Sequence, residues 1–164
     1  MLLIRQAAVY APEYLGVRDV LVCGGVIEAV EEQIEGELPF CKVIDGRGKK
    51  LTPGFIDPHV HITGGGGEGS FHTQVPPVKL SELLQGGVTS LVGLLGTDGI
   101  SRNMESLLAR GKALKEEGLT VYLCTGSYGY PSVTLTGDIR KDIMFVEEII
   151  GVKLALSDHR APNV

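Results

Sequence analysis

The chain has 164 residues, enough for one ordinary domain but short of the roughly 200–250 residues that a closed (β/α)8 barrel needs. It is 43% hydrophobic and 21% charged with a mean hydropathy of +0.17, a globular composition with apolar material for a core. Acidic residues outnumber basic ones 20 to 15, for a net charge of −5, which argues against nucleic-acid and anionic-membrane partners.

Residues 1–53 read as short strands joined by turns. Leu2–Val9, Asp19–Cys23, Val26–Val30 and Cys41–Ile44 are apolar runs, punctuated by Gly24-Gly25 and Asp45-Gly46. None holds a helical period, so a small β-layer is expected. Arg5 interrupts the opening apolar run too soon for a signal peptide, and no run approaches the ~18 residues of a membrane span. Cys23, Cys41 and Cys124 are widely spaced within hydrophobic runs. They read as buried thiols of a reducing cytoplasm, neither a disulfide framework nor a zinc cluster.

The pattern changes at Pro53-Gly54, which divides the chain into a β-portion (1–53) and a second portion (54–164). Strand-like runs at Phe55–Ile62, Val88–Leu95, Leu119–Tyr128 and Val152–Ser157 are almost continuously hydrophobic, as a covered parallel sheet requires. Between them lie three amphipathic helices. The first is predicted from an N-cap at Ser81 to Gly86-Gly87, and the second from Ser101 to Gly118. The third follows Asp138 and presents Ile139, Ile143, Val146 and Ile150 on one face. Strand starts recur about every 32 residues, the size of a βα unit. The α/β order fits either a small doubly wound sheet or half of a barrel, and the spacing does not choose between them.

The strongest chemical signal is Pro53-Gly54-Phe55-Ile56-Asp57-Pro58-His59-Val60-His61. Two histidines two apart on a strand point to the same side, and the carboxyl end of a barrel strand is where such enzymes place their chemistry. Neutral imidazoles there suit a divalent metal better than two unrelated surface histidines. Lys153 falls in an apolar run, where an unpaired ammonium is costly; pairing with Asp158 or a loop carboxylate is the alternative to a functional role. Gly64–Gly67 lacks the ending of a phosphate-binding loop, and by itself Glu68 reads as a solvated acid. His72 and His159 read as structural, and Tyr130 as a rim filler.

The Pro-Gly-x-x-Asp-x-His-x-His segment resembles the metal-dependent amidohydrolase superfamily. Gly64–Glu68, Gly93–Asp98, Thr125–Tyr128, Gly151–Lys153 and Ser157–Arg160 narrow the resemblance to isoaspartyl (β-aspartyl) dipeptidases, of which the chain matches only the N-terminal part. The resemblance implies the first half of a TIM-type (β/α)8 barrel, with four parallel strands and three helices, preceded by the β-layer. It implies hydrolysis of a small dipeptide by a metal-bridged hydroxide, with two Zn2+ per complete site. His59 and His61 would hold one metal, and Lys153, as N6-carboxylysine formed with CO2, would bridge both. Gly66, Gly67, Glu68, Thr97 and Arg160 would hold the substrate, Glu68 taking its α-amino group. Tyr128 would bind the substrate and act catalytically on the scissile carbonyl.

The family's remaining histidines and its general-base aspartate have no counterpart here, so the chain is expected to be an N-terminal fragment, truncated after the fourth strand in the loop Ala161–Val164 and inactive alone. The complete enzyme is expected to be a cytoplasmic homo-oligomer. Two other readings stand: a cyclic-amide hydrolase related to dihydroorotase or hydantoinase, and a non-catalytic half-barrel that assembles with a partner chain.

Overall fold

The computed structural model describes residues 1–36, 38–156 and 158–160. The chain packs as two compact units, Met1–Pro53 and the remainder from Gly54. In the first, β1 (Leu2–Tyr10), β2 (Tyr14–Cys23) and β3 (Val26–Glu31) form an antiparallel meander, and β4 (Lys42–Asp45) and β5 (Lys50–Leu51) pair parallel to β1. Alternation in β1 buries Leu3, Ala7 and Val9, and the last two meet Val20 in a small core.

A break in register between Ile4 and Ala7 leaves Gln6 with φ of 57°, in the left-handed region. Asp19, wholly buried, holds that bulge. It accepts hydrogen bonds from the Gln6 backbone N–H (2.8 Å), the Ile34 backbone N–H (3.0 Å) and the Arg5 guanidinium (3.3 Å).

In the second unit, β6 (Phe55–Val60), β9 (Val88–Gly93), β10 (Thr120–Thr125) and β11 (Ile149–Val152) form a parallel sheet in chain order. A doubly wound sheet reverses its order at a switch point, whereas a barrel adds each strand beside the last. The sequential order therefore resolves the choice in favour of half a TIM-type barrel. A short hairpin, β7 (Gly65–Gly66) with β8 (Gln74–Val75), follows β6, and a single 3-10 turn at Phe71–Thr73 lies between its strands.

Helices α1 (Leu80–Gln85), α2 (Met104–Glu116) and α3 (Ile139–Phe145) connect the strands. Leu91, Val121, Leu123 and Ile149 pack with Met104, Leu107 and Leu114 of α2 in one core, while Tyr122 and Ile150 on the opposite face are 44% and 54% exposed. A Cβ at Gly93 would stand 2.7 Å from Ile62 and 2.9 Å from Leu123, so glycine lets these side chains close over the sheet.

Several boundaries differ from the sequence reading. The first helix is capped at Lys79, whose N–H is accepted by Glu82, and the second at Asn103, whose side chain accepts from the Ser106 N–H. The third strand ends at Thr125, so Tyr128 lies beyond it. The fourth is Ile149–Val152, which leaves Lys153 half-buried just past the strand rather than inside it; Ser157, in the expected strand, lies outside the described residues, as does the expected terminal loop 161–164.

The largest correction concerns α3. It stops at Phe145 because Val146 turns to extended backbone, and Ile143, Met144 and Phe145 are exposed while Asp142 is its buried residue. The three cysteines are half-buried and free, on surfaces without full cover, rather than fully buried. Among the described residues, no helix is long and apolar enough to cross a membrane.

Burial alone would raise the pKa of Asp19, but the hydrogen bonds it receives outweigh that and hold it below the ordinary carboxylate value. A folded pKa below the unfolded one contributes stability above about pH 4 that is lost as the carboxylate protonates. Asp19→Asn is therefore expected to cost about 1–3 kcal/mol at pH 7. Its stability should also fall less steeply than that of the parent between pH 5 and pH 2, as followed by denaturant unfolding at each pH.

Candidate active site at the carboxyl ends of the parallel strands

Parallel pairing puts the carboxyl ends of β6, β9, β10 and β11 on one edge of the sheet, and the segment after each strand delivers a polar side chain there. These are Glu68 after β6, Thr97 after β9, Tyr128 after β10 and Arg160 after β11. Thr97 Oγ1 donates to Glu68 Oε1 at 2.8 Å, and the Arg160 guanidinium donates to the same oxygen at 3.1 Å and to the Tyr128 hydroxyl at 3.4 Å. Four residues far apart in the chain thus form one connected cluster. Asp158 grips Arg160 bidentately, at 2.8 and 2.7 Å, and holds its charge in place. The alternative in which Asp158 pairs with Lys153 is replaced by this contact, and Lys153 forms no ion pair among the described residues.

The Glu68 carboxyl is held below its ordinary pKa by its own backbone N–H, then by the Thr97 hydroxyl and the Arg160 charge, so it stays anionic. A cavity of ≈ 360 Å³ opens beside it, lined by Gly66, Gly67, Thr97 and the exposed Phe71 and Ile100.

His59 and His61 come together, with ring centroids 5.3 Å apart and the planes at 81°. His61 Nδ1 lies 3.2 Å from the Leu94 carbonyl oxygen. A carbonyl only accepts, so the Nδ1–H tautomer is selected and Nε2 keeps its lone pair, the arrangement usual for a metal-ligating imidazole. Burial, partly offset by that carbonyl and reinforced by the charges of His59, Lys153 and Arg102, pushes the His61 pKa down and keeps the ring neutral. Lys153 Nζ approaches the Tyr128 ring to 5.0 Å and the Arg160 guanidinium approaches it to 5.2 Å, which links this side to the Glu68 cluster. Among the described residues no group of three or more His, Cys, Asp or Glu gathers to hold a metal. The donor set in view is two imidazoles and an amine that can be carboxylated, and its chemistry fits a divalent ion.

The glycine run has a steric reason within the chain itself. Gly64 has φ of +88°, and a Cβ on it would stand 2.1 Å from the Val75 carbonyl oxygen, so the hairpin closes only on glycine. His72 stays on the hairpin, in contact with the Ser70 hydroxyl, His159 is exposed beside Asp158, and Tyr130 is exposed.

Sequence reasoning missed Arg102, which holds this hairpin to the loop after β9. Its Nε donates to the Thr63 carbonyl (3.1 Å), and its terminal nitrogens donate to the Val75 carbonyl (3.2 Å) and to Asp98 (3.2 Å). Asp98, whose neighbour Thr97 holds Glu68, also accepts from the Ile100 and Ser101 N–H groups and the Ser101 hydroxyl. The four-residue spacing from Asp98 to Arg102 was the available signal, but a lone i,i+4 pair is too common to single out.

The architecture is that of half a TIM-type (β/α)8 barrel, four parallel strands in chain order. Within that class the chain is similar to β-aspartyl dipeptidase of Fervidobacterium islandicum AW-1: 48% identical with a TM-score of 0.92 over 98% of this chain and 44% of that one. A second structure of that enzyme, in complex with a β-Asp-Leu dipeptide, gives 46% identity and a TM-score of 0.91 over 99% of this chain and 43% of that one. The dihydroorotase of Elusimicrobium minutum is 36% identical over 98 residues, 58% of this chain and 22% of that protein. The chain therefore spans less than half the length of each protein it matches here. No protein-family profile matches it.

Lysine cannot span the three acceptors that the planar guanidinium of Arg102 reaches. Arg102→Lys is expected to speed amide hydrogen exchange across residues 64–75 and to lower stability by about 1–3 kcal/mol, while exchange in α2 is unchanged below the global unfolding limit.

Proposed function

We propose that the protein carrying these 164 residues is a metal-dependent hydrolase of isoaspartyl dipeptides. The observation that carries this reading is the connected Glu68–Thr97–Arg160–Tyr128 cluster beside His59, His61 and Lys153. An isoaspartyl dipeptide is joined through the aspartate side-chain carboxyl, so its aspartyl carbon carries both a free ammonium and a free carboxylate. Glu68 suits the ammonium, with Thr97 orienting its carboxylate, and Arg160 suits a carboxylate. Gly66 and Gly67 let the substrate approach the backbone closely. The Tyr128 hydroxyl donates to the scissile carbonyl oxygen as negative charge develops there.

His59, His61 and Lys153, the last as the N-carboxylated form, would hold the metal. Carboxylation of the ammonium joins Nζ to the carbon of CO2, releases two protons and turns a cation into an anionic oxygen donor. Two zinc ions are the expected complement; when bound, divalent metal acidifies water and polarises a carbonyl. The three free thiols support a reducing, cytoplasmic compartment.

Hydrolysis of β-Asp-Leu, abolished by a chelator and restored by zinc, is the direct test. Tyr128→Phe is expected to lower kcat about 10²- to 10³-fold. Glu68→Gln should instead raise KM at least about tenfold by loss of the charged contact. Metal-independent turnover, or none, would overturn the reading. Similarity to a dihydroorotase favours a second reading, a cyclic amide substrate. Such a ring has no free α-amino group, so turnover of dihydroorotate that is indifferent to Glu68→Gln would select it.

A further inference from the structure

Asp142 is wholly buried on α3, the helix whose Ile143, Met144 and Phe145 are exposed. Its Oδ2 accepts from the Thr125 hydroxyl (2.6 Å) and the Leu135 N–H (2.9 Å), and its Oδ1 from the Thr136 N–H (2.8 Å) and the Thr136 hydroxyl (2.6 Å). All four donors are neutral, and Asp142 forms no ion pair among the described residues. Burying a carboxylate without a counter-cation is expensive, so four donors converging on it form a built arrangement rather than an incidental contact. Burial pushes its pKa up and the four hydrogen bonds more than reverse that, so the group is an anion in the folded chain.

The four bonds sit at both ends of one segment. Thr125 is the last residue of β10, and Leu135 and Thr136 lie where the chain returns toward α3. The Gly126 N–H donates to the Val133 carbonyl at 3.0 Å and closes the base of the excursion between them. Tyr128 stands on that excursion, three residues beyond Thr125. Asp142 itself is hydrogen-bonded to none of Glu68, Thr97, Arg160 or Tyr128.

We propose that Asp142 is a positioning residue, which holds both ends of the 126–134 segment so that the Tyr128 hydroxyl meets the Arg160–Glu68 cluster. The assignment rests on the dipeptidase reading for what Tyr128 does, but not for the geometry. Only an acceptor-only side chain satisfies four donors. Asparagine keeps the shape but turns an NH2 toward the Leu135 or Thr136 N–H and leaves that donor unpaired. Displacement of a reacting group by about 1 Å is enough to cost about 10²-fold in rate.

The test compares parent, Asp142→Asn, Tyr128→Phe and the double variant. Asp142→Asn is expected to speed amide exchange at residues 126–134 while α2 stays protected, and to lower kcat on β-Asp-Leu about 10²-fold with KM within about threefold. In the Tyr128→Phe background the same substitution should change kcat less than about threefold, because its effect runs through the hydroxyl already removed. An equal loss of kcat in both backgrounds, or unchanged exchange at 126–134, would overturn the proposal in favour of a purely structural aspartate. Thr136→Val, which removes one of the four bonds and keeps the carboxylate, should shift exchange and kcat the same way by a smaller factor; no shift in a folded Thr136→Val protein would also count against it. A parent that fails to hydrolyse β-Asp-Leu refutes the dipeptidase reading, and the exchange measurement then still decides whether Asp142 holds the segment.

Discussion

Parallel pairing in chain order is the constraint on which this structure depends. Because β6, β9, β10 and β11 run the same way and neighbour one another in sequence, their carboxyl ends share one edge and their helices return on one face. The helix-facing residues can then be uniformly apolar, which Leu91, Val121, Leu123 and Ile149 are. The segments after the four strands have no such freedom to diverge. They depart from neighbouring points about 5 Å apart across the sheet, so residues as distant in sequence as Glu68 and Arg160 meet without a long closing loop.

Convergence alone would leave those segments mobile, and two carboxylates, one half-buried and one buried, supply the fixation. Asp98 gathers backbone N–H groups and Arg102 behind the Thr97 side of the cluster, and Asp142 gathers Thr125, Leu135 and Thr136 behind the Tyr128 side. Each takes several donors at once, which one carboxylate does better than any neutral side chain. Asp19 does the same for the bulge in β1, in a unit with no part in the cluster.

This division of labour explains what was legible in the sequence. The four strands, the turn glycines and the two histidines announced themselves through continuous apolar runs and a spacing of two. The four site-bearing segments did not: Glu68, Thr97, Tyr128 and Arg160 came from the resemblance to isoaspartyl dipeptidases, and by itself Glu68 reads as a solvated acid. The face of α3 was misread because a 3.6-residue period counts apolar residues and is blind to an aspartate whose donors lie on another segment. Ile139 is half-buried, but Ile143 is exposed, the helix turns Asp142 inward, and it ends before Val146 and Ile150. The position of Lys153 slipped for a related reason: Leu154 and Leu156 extend the apolar pattern beyond the last ladder hydrogen bond, and hydrophobicity does not mark where pairing stops. The Asp158–Arg160 grip was equally silent, since a spacing of two in a turn gives no orientation until the backbone is known.

The charges gathered around Glu68 constrain a ligand further than shape does. Glu68, Arg160 and Asp158 are two anions around one cation, so this triad carries one net negative charge. A ligand that parts Glu68 from Arg160 must offer a cation to the first, or it leaves a desolvating carboxylate without a partner. Arg160 is less exposed to that loss, because Asp158 still holds two of its nitrogens when Glu68 leaves, and its remaining donor is free to meet an incoming carboxylate. An ammonium and a carboxylate on one carbon replace the broken pair charge for charge. A neutral ring can occupy the same volume but returns neither charge, and so must leave the Glu68–Arg160 contact intact and bind beside it.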